Sequence, residues 1–130
     1  MEHITATTGK ARYKTIIHSS DHAITGDEPV HLGGQNLGMS PGELLCSSLA
    51  SCTSITLRMY ADRKEWNVTE ITVKVTLHDE DKKNPSMHRV VEISGEIDEQ
   101  QQTRLLAIAN ACPVHKLLSR GLEIRTEIKF

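Results

Sequence analysis

The sequence is poor in aromatic side chains, which make up only 3% of its 130 residues. Because aromatic residues bury more area than other side chains, the core must be built from small and aliphatic residues with little bulk each. A chain of this length forms one domain and removes roughly two-thirds of its unfolded surface from water. We therefore expect a single domain over residues 1–130, with part of its burial supplied by a second copy.

No charge of one sign dominates, and no long apolar run is present. The net charge is -2 and the pI is ≈ 6.4, with the basic residues spread along the chain. Because this leaves no basic surface for nucleic acid or for an anionic membrane, we expect neither partner. No segment has the ~18 to 20 apolar residues of a membrane span, and the N-terminus lacks the apolar core of a signal peptide. We expect a cytoplasmic protein.

Cysteine is scarce: there are three, an odd number, at spacings unlike those of a disulfide-rich secreted scaffold. Reduced thiols in a cytosol are therefore expected. Cys46 and Cys52 lie six residues apart on a predicted helix, separated by a rise of ~9 Å. A disulfide needs Cα atoms within about 7 Å, so if Cys52 pairs with another cysteine, that cysteine is Cys112.

The stretch SPGELLCSSLASCTSITLRMYADRK, residues 40–64, predicts a central buried helix. Ser40 can cap it, Pro41 suits its first position, and Glu43 has the spacing of a capping box. Spacings of three and four predict a buried face formed by Leu45, Leu49, Cys52, Thr56 and Met59. The side chains around Cys52 are small and leave room for a small molecule beside its sulfur.

The rest of the chain predicts short strands followed by a hairpin, two helices and a last strand. The predicted strands before the central helix are Ile4–Thr8 and Ala11–Ile17, joined by a tight turn at Gly9-Lys10, and His22–Thr25. The loop of residues 26–40 is rich in glycine but does not match the dinucleotide or phosphate-loop fingerprints. After the central helix we expect a hairpin of Asn67–Asp79 and His88–Ile97, with Val91, Ile93 and Ile97 inward, a helix capped by Asp98, a short helix Pro113–Arg120 and a strand over residues 122–130.

Cys112 directly precedes Pro113, at the start of the short helix. The positive end of a helix dipole favours the thiolate, and a charge on His115 would help. Two other interpretations stay open. A cysteine on an apolar face commonly serves as a small hydrophobe, and Cys52, Cys112 and His115 together could bind a metal. Because no C-x-x-C or H-E-x-x-H pair is present, we expect no metal and no cofactor.

These motifs together resemble the OsmC/Ohr family of osmotically inducible and organic hydroperoxide resistance proteins. The glycine-rich loop, then SPGELL, ASCTSITLRMYA, WNV and finally ACPVHKLL carry the resemblance over nearly the whole chain. The resemblance implies an α+β fold in which antiparallel sheets wrap around two central helices in an intertwined homodimer. It places two active sites at the dimer interface.

The resemblance also implies a thiol-dependent peroxidase that reduces organic hydroperoxides and hydrogen peroxide. Cys52 matches the cysteine that attacks the peroxide and becomes a sulfenic acid. Cys112 matches the resolving cysteine, which closes a disulfide that an external dithiol, often a lipoyl group, reduces. Cys46 matches no family cysteine and is expected to be structural.

The residues that activate the thiolate depart from the family pattern. Family members use an arginine from the N-terminal hairpin turn, held by a glutamate directly after the proline that starts the central helix. Here the carboxylate comes one residue later, at Glu43, and the turn has Lys10 instead, with Arg12 the nearest guanidinium. Lysine cannot form the bidentate clamp of arginine. This altered set, Glu43, Arg12 and Lys10, is typical of a less characterised OsmC-like branch.

A second function uses the same fold without catalysis. The pocket beside the cysteines would bind a small apolar ligand or a reactive thiol, and the cysteines would sense its redox state. Slow turnover with retained ligand binding would favour this module over the peroxidase.

Overall fold

The structure is a computed structural model that describes residues 2–130. Its elements, in chain order, are β1 (Thr5–Thr8), β2 (Thr15–His18), β3 (Ala23–Gly26), a 3-10 turn (Val30–Leu32), α1 (Pro41–Lys64), β4 (Asn67–His78), β5 (Ser86–Glu96), α2 (Glu99–Ala109) and α3 (Pro113–Arg120). One antiparallel sheet has the order β1-β2-β3, and β4 and β5 form a second, two-stranded antiparallel sheet. The chain forms two compact units, one ending at Cys46 and the other starting at Ser47.

The N-terminal unit contains the predicted hairpin, but with a longer turn than expected. β1 and β2 pair in the register Thr8↔Thr15, so the predicted strand Ala11–Ile17 is wrong over residues 11–14. The physical reason is that the backbone N–H of Tyr13 donates to the Asp27 carboxylate at 2.9 Å and not to a neighbouring strand. The third strand forms one residue later than predicted.

Asp27 organises the glycine-rich loop that leads to α1. Its side chain is 3% exposed. Its carboxylate accepts backbone N–H groups from Tyr13 and Glu28 on Oδ1, at 2.9 and 2.7 Å, and from Gln35 and Leu37 on Oδ2, at 3.3 and 3.1 Å. Burial raises the pKa of Asp27, but these hydrogen bonds outweigh burial and hold the pKa below its ordinary value. The loop is therefore closed around one anion.

α1 begins as predicted. Ser40 donates its backbone N–H to Glu43 at 3.0 Å, and Glu43 donates its own to the Ser40 hydroxyl at 3.2 Å. These reciprocal bonds are a capping box, which satisfies N–H groups that the first helical turn leaves without partners. The helix bounds Pro41–Lys64 agree with the prediction.

The buried face of α1 differs from the predicted one. Its buried residues are Leu49, Thr53, Leu57 and Ala61, one every fourth position. Of the predicted face only Leu49 is buried, whereas Met59 is 61% exposed. Thr53 is not on the predicted face, and its hydroxyl can be buried because it donates to the Leu49 carbonyl of the same helix at 2.7 Å.

The second unit is built as predicted around the β4–β5 hairpin and α2. β4 and β5 pair with Val73 opposite Val91. Leu57 of α1 packs with Leu105 and Ala109 of α2 in a buried cluster, against which half-buried strand residues such as Val91 lie. Asp98 and Gln101 form the capping box of α2, and Pro113 separates α2 from α3, which ends at Gly121 with φ 82°. No helix within residues 2–130 has both the length and the apolar character needed to cross a membrane.

The predicted terminal strand over residues 122–130 is wrong for this chain. No β-ladder among the described residues includes this segment, and its alternating apolar side chains are exposed, with Ile124 86% and Ile128 77% accessible. A strand needs a neighbour for its backbone N–H and C=O groups. The alternation is therefore typical of a strand, but among the described residues this segment has no partner strand.

Candidate functional site

Cys112 lies at the N-cap of α3, where the chain turns from α2. Pro113 occupies the first helical position, and the extended backbone of Cys112, with φ -65° and ψ 146°, aims its sulfur back over the first turn. The sulfur accepts the backbone N–H of His115 at 3.4 Å. The side chain is 0% exposed, so this thiol sits at a helix N-terminus and is closed off from solvent.

Thr53 connects α1 to this sulfur. Its Oγ1 lies 3.7 Å from Cys112 Sγ and 2.7 Å from the Leu49 carbonyl oxygen. The single hydroxyl hydrogen can point to either acceptor. Thr53 can therefore donate to a thiolate at Cys112 and return its hydrogen to the helix carbonyl when the thiol is protonated.

Arg89, on β5, places a positive charge in the same cluster. Its Nη1 donates to Thr53 Oγ1 at 3.1 Å and lies 3.9 Å from Cys112 Sγ, and its Nη2 donates to Asn110 Oδ1 at 3.0 Å. Arg89 is not among the site residues predicted from the sequence, although the sequence contains a signal for it. The alternation that places Val91 inward on this strand places Arg89 inward as well, and the structure shows both half-buried.

His115 completes the set as a hydrogen-bond acceptor. Its Nδ1 lies 3.1 Å from Arg89 Nη2, and because a guanidinium has only donors, Nδ1 must accept and carries no hydrogen. Arg89 places a positive charge beside Cys112, with its Nη1 3.9 Å from the sulfur, and a contribution from a charge on His115 stays a prediction.

These contacts shift the ionisation of Cys112. Burial raises the pKa of the Cys112 thiol, but the N–H of His115, the hydroxyl of Thr53, the side chain of Cys52 and the charge of Arg89 together hold the pKa below its ordinary value. The thiolate is therefore favoured at Cys112, as its place at a helix start predicts. The hydrophobe interpretation does not explain this polar shell.

Cys52 comes close to Cys112 but has different surroundings. It is half-buried, it is one of the groups that lower the pKa of Cys112 through a side-chain hydrogen bond, and its own Sγ lies 4.0 Å from Thr56 Oγ1. The structure thus brings together the two cysteines that lie far apart in the sequence. Of the pair, Cys52 is the one a solute can reach.

The other predicted site residues lie in the unit that ends at Cys46. Glu43 is part of the α1 capping box, and Lys10 and Arg12 are exposed in the turn between β1 and β2. Cys46 is half-buried on α1. An activating role for Glu43, Arg12 and Lys10 stays a prediction.

A metal centre at the cysteines is not favoured. Within residues 2–130 no group of three or more His, Cys, Asp or Glu side chains is placed to hold a metal ion. Two of the three suggested ligands, Cys112 and His115, face the guanidinium of Arg89 at 3.9 and 3.1 Å. That positive charge would repel a metal cation at the same atoms.

The second unit also contains an open cavity of ≈ 390 Å³ between β5 and α2. Its lining is mainly aliphatic and consists of Val91, Ile93, Gly95, Ile97, Gln102, Leu105, Leu106 and Ala109. Neither cysteine of the pair lines it. The polar cluster around Cys112 is therefore a separate feature of this unit.

Comparison with protein families matches residues 33–127 to the OsmC family, described as OsmC-like protein. This confirms the resemblance drawn from the motifs. A search of curated proteins finds no match.

Solved OsmC and Ohr structures have a similar fold. An OsmC like protein from Mycoplasma pneumoniae is 23% identical over 92% of this chain and 87% of its own, with a TM-score of 0.77. The organic hydroperoxide resistance protein OhrB of Bacillus subtilis is 22% identical over 93% and 91%, with a TM-score of 0.61. An organic hydroperoxide resistance protein OsmC from Legionella pneumophila is 19% identical over 89% and 87%, with a TM-score of 0.62. The likeness confirms the predicted α+β, OsmC-like fold.

Proposed function

The chain belongs to the OsmC-like protein family, and from this premise we propose that it is a thiol peroxidase that reduces organic hydroperoxides through Cys52 and Cys112. The observation that carries the proposal is the pairing of an accessible thiol with a buried one whose pKa is lowered. Relatives of the same fold from Bacillus subtilis and Legionella pneumophila are organic hydroperoxide resistance proteins, which supports this substrate class.

The first step uses Cys52, because only an accessible sulfur can meet a hydroperoxide. The Cys52 thiolate attacks the distal oxygen, the O–O bond breaks, and the alkoxide takes a proton and leaves as the alcohol. Cys52 is oxidised to a sulfenic acid. We propose that Glu43, Arg12 or Lys10 activates the Cys52 thiolate.

The second step uses Cys112. Its thiolate, favoured by the donors around it, attacks the sulfur of the Cys52 sulfenic acid. The S–S bond forms, the S–O bond breaks, and hydroxide takes a proton to become water. This condensation protects Cys52 from further oxidation, and an external dithiol of the lipoyl class then reduces the disulfide by exchange.

The working protein is proposed to be a homodimer in the reducing cytoplasm. Apolar side chains are exposed on α1, where Met59 and Ile55 are 61% and 54% accessible, and in the unpaired segment of residues 122–130. Exposed apolar side chains of this kind are available for an interface with a second copy, and a segment with strand alternation can pair with another chain's sheet edge. Sedimentation analysis should give about twice the mass of one chain.

The test is stopped-flow consumption of cumene hydroperoxide with dihydrolipoamide as reductant. Wild type and the control Cys46→Ser should turn over alike. Cys52→Ser should lose about 10³-fold or more, because the nucleophile is removed. With the dithiol left out, Cys112→Ser should reduce one equivalent of peroxide and then leave a sulfenic acid that dimedone captures.

Peroxide consumption by Cys52→Ser at the wild-type rate would overturn the proposal. If all variants are equally slow and wild type still binds the reductant thiol, the non-enzymatic binding or redox-sensing module is the better account.

A further inference from the structure

We propose that Arg89 is a positioning residue that makes the two sulfurs of the Cys52–Cys112 disulfide unequal, so that the reductant attacks Cys52 and Cys112 departs as the thiolate. This inference rests on the proposed function, because it concerns the disulfide that the peroxidase cycle forms.

The charge that develops during reduction determines which sulfur leaves. When the disulfide breaks, the departing sulfur becomes an anion and needs donors in place. Around Cys112 Sγ these are the His115 N–H at 3.4 Å, the Thr53 hydroxyl at 3.7 Å and Arg89 Nη1 at 3.9 Å. Around Cys52 the hydrogen-bonding neighbours are Thr56 Oγ1, at 4.0 Å, and Cys112 itself. The anion is therefore stabilised at Cys112.

Arg89 itself lacks a competing anion. Its other contacts, Asn110 Oδ1 at 3.0 Å and His115 Nδ1 at 3.1 Å, fix the guanidinium, and neither of them is a carboxylate that would cancel its charge. No salt bridge within residues 2–130 involves Arg89. A half-buried cation without a carboxylate is costly, and a thiolate at Cys112 is the anion beside it that removes this cost.

The accessibility of the two sulfurs also favours attack at Cys52. An attacking thiolate must approach the sulfur it bonds to, and Cys112 is 0% exposed. Cys52 is half-buried. The lowered pKa of Cys112 adds a kinetic reason, because a thiol of lower pKa is the faster leaving group in disulfide exchange.

The step balances without a further reagent. A reductant thiolate attacks Cys52 Sγ, the bond from Cys52 Sγ to Cys112 Sγ breaks, and Cys112 takes the electron pair as thiolate. The second thiol of the dithiol, after losing its proton, attacks the reductant sulfur of the mixed disulfide. This releases the Cys52 thiolate, and the dithiol is oxidised by two electrons to a cyclic disulfide.

The test traps the first intermediate with a monothiol, which lacks the second thiol group that would release the mixed disulfide by intramolecular attack. The Cys52–Cys112 disulfide is formed with diamide, so no peroxide activity is needed, and is then treated briefly with 2-mercaptoethanol and quenched with iodoacetamide. Peptide mass spectrometry should find the mercaptoethanol adduct on Cys52 and the alkyl group on Cys112, with about tenfold preference or more. An equal split, or an adduct mainly on Cys112, would overturn the inference while the peroxidase proposal stands.

Failure of diamide to form this disulfide would instead remove the proposed function, and the inference with it. The two failures are thus distinct.

Arg89→Gln tests the residue itself. Reduction of the disulfide should slow by about three- to tenfold and the preference for Cys52 should fall, whereas Arg89→Lys, which keeps the charge, should restore part of both. The matched control Arg63→Gln, at an exposed position near the end of α1, should behave as wild type. An adduct distribution unchanged in a folded Arg89→Gln would exclude the role, and the wild-type mapping decides the direction of attack even if that variant does not fold.

Discussion

Asp27 and Arg89 are ionic side chains that each gather partners, one in each compact unit, and their partners differ in kind. Asp27 accepts backbone N–H groups from Tyr13, Glu28, Gln35 and Leu37. The partners of Arg89 are all side chains, and one is the sulfur of Cys112. Backbone donors cannot lose their hydrogens, so the charge of Asp27 holds the loop before α1 in one conformation. A thiol can gain or lose its proton, so the charge of Arg89 affects the ionisation of Cys112.

The largest expected effect on stability comes from removing the carboxylate of Asp27. Asp27→Ala leaves backbone N–H groups of the loop without an acceptor in a buried setting, which is costly. The melting temperature should fall further than for any other substitution considered below. Asp21→Ala, at an exposed carboxylate in the turn between β2 and β3, is the matched control and should melt like wild type.

Thr53→Val removes a hydroxyl from the Arg89 cluster while nearly keeping the shape of the side chain. The free energy of unfolding should fall by about 1–3 kcal/mol, because Arg89 Nη1 loses an acceptor at 3.1 Å. The pKa of Cys112 should also rise, because Thr53 is one of the groups that lower it. Guanidinium titration and the thiolate absorbance near ~240 nm check both effects. A stable variant with an unchanged thiol titration would contradict the role of Thr53.

Acid should weaken the N-terminal unit through Asp27. Its pKa is lowered in the fold, so the carboxylate contributes stability that is fully present above its unfolded pKa of about 3.9 and is lost as pH falls through the folded pKa. Melting curves recorded between about pH 5 and pH 2 should therefore fall less steeply for Asp27→Asn than for wild type. Parallel curves would mean that the charge of Asp27 is not what holds the loop.

The smallest effect is expected where a charge has a single exposed partner. Lys82 lies 3.6 Å from Asp79, with 83% and 58% of these side chains accessible. Solvent screens such a pair, so Lys82→Ala should change the free energy of unfolding by about 0.5 kcal/mol or less. A larger change in the free energy of unfolding, measured by guanidinium titration, would indicate that a charge with one exposed partner can contribute as much as Asp27 or Arg89, which have several.

The local fold could largely be predicted from the sequence. The capping signals at Ser40 and Asp98 and the break at Pro113 give helix bounds that agree with the structure, because they act within a few residues of themselves. The strand over residues 122–130 could not be predicted reliably. Alternation shows that a segment can be a strand, but pairing depends on a neighbour far away in sequence or on another chain.

The two cysteines of the candidate site, Cys52 and Cys112, could be predicted from the sequence, but its cation, Arg89, could not. A cysteine before Pro113 signals a helix N-cap, so Cys112 could be identified from its neighbours. Arg89 is separated from it by more than twenty residues, and only the strand alternation indicates that it points inward. Lys10 and Arg12 come from the resemblance, which carries over the position of a cation from other members of the family, and their role stays a prediction.

Disulfide mapping after peroxide treatment tests the central claim most directly. Reduced protein is given one equivalent of cumene hydroperoxide, alkylated and digested, and the linked peptides are identified by mass spectrometry. The account predicts a peptide pair joined through Cys52 and Cys112, with Cys46 alkylated. Recovery of Cys52 as a sulfenic acid captured by dimedone, with Cys112 still free to be alkylated after unfolding, would contradict it.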